Sequence, residues 1–68
     1  MDTHTTKTPT ELLDALVLIA PVSITGMGAY VEAILVDGPG GDTVVTGDTP
    51  SYAIRKLAEV MGIAVDAN

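Results

Sequence analysis

Sixty-eight residues allow one domain with one thin core, and chains of that size usually lean on disulfides, a metal or a partner subunit. There is no cysteine, and His4 is the only histidine, which excludes a disulfide framework and a zinc site and leaves self-association as the expected device. Three cations (Lys7, Arg55 and Lys56) against nine acids give a net charge of −6, so the basic stripe of a nucleic-acid binder is excluded and a basic protein partner is favoured.

The longest uninterrupted apolar run is Ala15 to Ala20, far short of the ~20 residues that cross a bilayer core. The Met1-Asp2-Thr3-His4 start lacks the basic and apolar stretches of a signal peptide. No membrane partner and a cytoplasmic location are therefore expected.

Residues 1–7 are polar, rich in threonine and without an apolar anchor, which predicts a flexible tail. Thr8-Pro9-Thr10-Glu11 then reads as a capping box, with Thr8 at N-cap, Pro9 at N1 and Glu11 at N3. Leu12, Leu13, Ala15, Leu16 and Ile19 supply an apolar face, and Pro21 pushes Ala20 out of the helical region. The first helix is predicted over Pro9 to Ile19.

Val22-Ser23-Ile24-Thr25 alternates at period two and is mostly β-branched, the pattern of a strand. After Gly26-Met27-Gly28, residues Ala29 to Val36 are predicted as a second strand. Val31, Ala33 and Leu35 share one face of it, and Tyr30, Glu32, Ile34 and Val36 share the other. A buried helix is the competing reading of that stretch. Asp37-Gly38-Pro39-Gly40-Gly41-Asp42 forms a loop, and Thr43 to Thr46 a short third strand. Thr49 as N-cap and Pro50 at N1 open a second helix, whose Ile54, Leu57, Ala58 and Met61 make one apolar stripe. Gly62 suits the left-handed position after its last turn, with Ile63 folding back onto it. The fold class is thus α+β in the order α-β-β-β-α. A single domain over residues 8–65 holds a three-stranded antiparallel sheet with both helices on one face, and residues 66–68 are a polar end.

His4 in the tail has only Asp2 near it, so general-base catalysis is not expected there. Asp37, Asp42 and Asp48 do not match the alternating spacing of a calcium loop and read as turn formers and a cap neighbour. Gly38-Pro39-Gly40-Gly41 runs into an acid and a strand, not into the Lys-Ser/Thr and helix of a phosphate loop. No metal, cofactor or enzymatic activity is expected. The start of the second helix is the better candidate for an anion. There Thr49 and Ser51 meet a helix N-terminus, with Arg55 and Lys56 one turn further on; the alternative is that these cations form a solvated face. The row Tyr30, Glu32, Ile34 and Val36 is the candidate partner or oligomer interface, because it is too apolar to stay wet.

Ala29-Tyr30-Val31 after a glycine, Thr46-Gly47-Asp48-Thr49 at the end of a strand, and Ala53 and Leu57 in the following helix together resemble HicB-type antitoxins. The likeness covers less than half the chain. It departs from the family in having a first helix and no DNA-binding segment after the second. It implies a module that binds a toxin. The element order is also similar to that of double-stranded-RNA-binding domains, but only Arg55 and Lys56 stand where such a domain carries its lysines, so nucleic-acid binding is rejected.

The expected function is that of a non-enzymatic acidic module that neutralises a basic host or toxin protein, antitoxin-like or like a phage inhibitor of host defence. The alternative is an oligomeric sponge for a phosphorylated signalling molecule or nucleotide. A homo-oligomer, first a dimer, is expected through the face bearing Tyr30, Ile34 and Val36, or through the edge of strand two or three.

Overall fold

The computed structural model describes residues 6–66. His4 and most of the predicted tail, and the last two residues of the polar end, lie outside the described residues. The elements run α1 (Pro9–Val17), β1 (Val22–Gly26), β2 (Val31–Gly38), β3 (Gly41–Gly47) and α2 (Pro50–Val60). The α-β-β-β-α order is as expected, and residues 31–38 form a strand, not a helix.

Both helices start where their caps require. At α1 the Glu11 N–H donates to Thr8 Oγ1 at 3.2 Å, and Glu11 Oε1 accepts from the Thr8 N–H at 2.8 Å. At α2 the Tyr52 N–H donates to Thr49 Oγ1 at 3.1 Å. The first helix stops two residues earlier than predicted. The Ile19 N–H reaches the Leu16 carbonyl in a tightened turn, and Pro21 follows. The second ends in a Schellman motif. Gly62 has φ +78°, its N–H donates to Glu59, and the Ile63 N–H donates to Ala58.

The sheet order is β1-β2-β3, antiparallel throughout. The central strand begins two residues later than predicted. Gly28, at φ +92°, takes the first central position of a two-residue turn, and the Met27 N–H donates to the Tyr30 carbonyl. Tyr30 therefore precedes β2 and is not part of it. At the other hairpin the predicted six-residue loop shrinks to Pro39-Gly40. The ladder continues to Gly38 opposite Gly41, with a bulge between Leu35 and Gly38. Asp37 sits there at φ +55°, and its N–H is taken by Asp42 Oδ1 at 2.7 Å. Because β2 is central, both of its sides are already paired. The expectation that strand two could offer a free edge is corrected; only β1 and β3 have one.

Opposed residues share a face. Val22, Ile24, Val31, Ala33, Leu35 and Val45 thus point one way, and both helices pack there. Leu12 and Leu16 of α1 and Ala53, Ile54, Leu57 and Ala58 of α2 close over Ala33 and Leu35. The chain measures 15 Å along its shortest axis, one helix layer on one sheet. Thr6 and Lys7, assigned from the sequence to the tail, return to the body: Thr6 bridges to Asp66, and the Lys7 N–H donates to the Val65 carbonyl at 2.8 Å.

Among the glycine positions, backbone meets backbone most closely where β3 meets α2. A Cβ on Gly47 would stand 2.8 Å from the Ala53 backbone nitrogen and 2.9 Å from a Tyr52 ring carbon, whereas one on Gly26 would meet nothing within 4 Å. Gly47→Ala is expected to lose about 1–3 kcal/mol by overpacking against helix backbone, and Gly26→Ala to stay within about 0.5 kcal/mol of wild type. Urea unfolding followed by circular dichroism checks the contrast, and equal midpoints for the two variants would contradict it.

Candidate functional site

Two surfaces collect the residues singled out from the sequence. The first is the sheet face turned away from the helices. Register places Ser23, Ile34 and Val44 in one row and Thr25, Glu32 and Thr46 in the next. Val36 continues the central strand beyond them, and its N–H donates to the Pro21 carbonyl. Ile34, Val36 and Glu32 are half-buried, although no helix covers them, because the flanking strands shield their sides. Glu32 lies between two threonines, with no cation paired to it among the described residues. Three of the four predicted interface residues thus share this face, while Tyr30 sits half-exposed in the bend before it.

Sequence reasoning missed Val44, which is 53% exposed beside Ile34. A signal was present. Strand pairing that turns Val45 inward opposite Ala33 necessarily turns Val44 outward.

The second surface is a cleft of about 300 Å³ between the starts of the two helices, lined by Thr6, Lys7, Pro9, Leu12, Thr49, Ser51, Tyr52 and Arg55. It unites three of the four residues predicted to hold an anion, namely Thr49, Ser51 and Arg55. Lys56 is not in the lining; its ammonium stands 5.6 Å from the centre of the Tyr52 ring. Lys7 takes its place, brought in by the pairing of its backbone with Val65. No sequence pattern could have placed it there, because that pairing joins the two ends of the chain.

The electrostatics of the cleft are modest. Arg55 Nε lies 3.7 Å from Glu59, and both side chains are about half exposed. Pro50 has no N–H, and that of Tyr52 is taken by the Thr49 cap. In the first turn of α2 only the Ser51 N–H is left to face a ligand, so this helix start has less to offer an anion than its sequence suggested. Elsewhere, Asp42 is engaged with the Asp37 backbone as a turn former. No group of three or more metal-ligating side chains occurs among the described residues, and no helix among them is long and apolar enough to cross a membrane.

No protein-family model matches the chain, and neither a curated protein nor a solved structure proved similar to it.

The cap and the ion pair at α2 should differ in weight. Thr49→Ala is expected to cost about 1 kcal/mol, because it removes the hydroxyl that satisfies Tyr52. Arg55→Ala should cost less than about 0.5 kcal/mol, because its partner is solvent-exposed. Thermal melts of the two variants at low and moderate salt test the order.

Proposed function

We propose that this chain is a non-catalytic acidic module that masks a basic protein, in the manner of an antitoxin or a phage inhibitor of host defence, and that it works in the cytoplasm as a homo-oligomer. The observation that carries the reading is the uncovered sheet face, where Ile34, Val36 and Val44 form an apolar strip beside Glu32, itself flanked by Thr25 and Thr46. An apolar strip excludes water from the contact, and a single charge at its border selects a partner that presents a lysine or arginine. The rest of the surface, at a net charge of −6 for the chain, would speed encounter with a basic partner and repel nucleic acid. The likeness to HicB-type antitoxins points the same way.

The cleft supports a second reading, in which an oligomer sequesters a phosphorylated small molecule. Two of the chain's three cations and the hydroxyls of Thr49 and Ser51 line it. Among the described residues the Thr49 and Ser51 hydroxyls stand with cations and not with a carboxylate or imidazole, an arrangement suited to holding an anion more than to activating a nucleophile.

Tagged protein expressed in its native host should retain a basic protein that is released by salt. Glu32→Lys should reduce the captured amount at least about tenfold by reversing that charge, whereas Glu59→Lys on the outer face of α2 should not. Equal capture by wild type and Glu32→Lys would refute the assignment of the sheet face. A thermal shift with inorganic phosphate or a nucleotide, lost in Arg55→Ala, would favour the second reading; a ligand at 100 times its dissociation constant adds about 2.7 kcal/mol.

A further inference from the structure

The helix layer does not cover the sheet evenly. α2 lies over β2 and β3, while α1 packs mainly on α2 and touches β1 only lightly. The outer strand β1 is consequently open along its free edge, and Ile24 on its helix-side face remains 38% exposed. The turn that leads from α1 into this strand carries Leu18 at 87% exposure, with Val17 and Ile19 also exposed.

The direction of the free backbone groups follows from the ladder. The Met27 N–H donates to the Tyr30 carbonyl, and the Val36 N–H donates to the Pro21 carbonyl. In an antiparallel pair the bonded positions alternate, so residues 21, 23, 25 and 27 turn their backbone groups toward β2. Val22, Ile24 and Gly26 turn theirs outward, to the edge. Nothing among the described residues guards that edge. Val22 to Met27 contains no charge and no proline, the two devices that ordinarily blunt an exposed strand. β3 differs: it contains Asp42, it lies beside the bulge at Asp37, and α2 packs over it.

We infer that β1 is the seam of a homodimer, in which a second copy adds its own β1 antiparallel to make one continuous six-stranded sheet. This rests on the oligomer proposed above and identifies its contact. A two-fold axis at Ile24 sets Ile24 against Ile24 of the partner subunit, and Val22 against Gly26 of the partner subunit. These are the residues whose backbone groups point outward, so each such pair exchanges both hydrogen bonds. The occupant is a second copy because the seam is self-complementary and free of charge in a strongly acidic chain. The nearest carboxylate on the ladder, Glu32, would be separated from its counterpart by three strand spacings, roughly 14 Å, beyond the ~10 Å screening length at 0.1 M salt. The arrangement leaves the open face uncovered and sets two copies of it side by side.

Multi-angle light scattering at micromolar concentration should give the wild type twice the 7.0 kDa of one chain. Ile24→Lys should give one chain mass with an unchanged far-ultraviolet spectrum, and Val44→Lys on the open face should stay dimeric. A wild-type monomer overturns the seam and the oligomer together. A dimer that survives Ile24→Lys overturns the seam alone. Should Ile24→Lys fail to fold, amide exchange on the wild type decides. The Ile24 N–H should exchange at least about tenfold more slowly at high than at low protein concentration, and fast, concentration-independent exchange overturns the proposal.

Discussion

The close approach of Gly47 to the first turn of α2 sets the geometry of the rest. The last residue of β3 lies so near the backbone of Ala53 that no side chain fits between them, and three residues later Pro50 has already begun the helix. Such a short connection lets α2 run back only over the strands it has just left, β3 and β2. Ala53 and Ala58 continue the theme, since both are fully buried. Small residues at the crossing bring helix and sheet together and lock the helix over one side of the sheet. They also explain in physical terms why Gly-Asp-Thr and the later alanine occur as a set in this chain.

That closeness limits the core. Among the described residues four of the nine buried apolar side chains are alanines, and the large fully buried ones are four leucines: Leu12, Leu16, Leu35 and Leu57. Alanines allow tight packing but remove little apolar surface from water, and stabilisation scales with that surface. Two short helices placed by such contacts cannot also cover β1 and the far face of the sheet. The exposed edge and the exposed face therefore have one origin.

The charges take no part in holding this core together. No polar or charged side chain is buried among the described residues. Glu11, Asp14 and Glu59 sit on helix exteriors, Asp37 and Asp42 at the hairpin bulge and Glu32 on the open face, and even the Arg55–Glu59 pair is exposed. Acidity thus stays at the surface, while burial and caps belong to the link between sequence and fold. Carboxylates do shape backbone: Glu11 accepts the Thr8 N–H at the start of α1, and Asp42 holds the Asp37 N–H and lets the hairpin close through Pro39-Gly40.

Much of this was legible in the residues alone, and what was legible is local. The Thr8 and Thr49 caps, the Gly62 stop and the helical stripe of Ile54, Leu57 and Ala58 depend on atoms a few positions apart. So do the inward Ala33 and Leu35 and the grouping of Thr49, Ser51 and Arg55 on one helix start. Period and spacing report such relations directly. Tertiary structure decided the rest: Tyr30 lies outside its strand, Val44 joins the open face, Lys7 replaces Lys56 in the cleft, and β1 keeps its edge. Each of these turns on strand register, on a bulge or on a pairing between distant parts of the chain. Apart from Val44, whose alternation with Val45 stands in the sequence, they leave no periodic trace, because they are fixed only once separate elements press against one another.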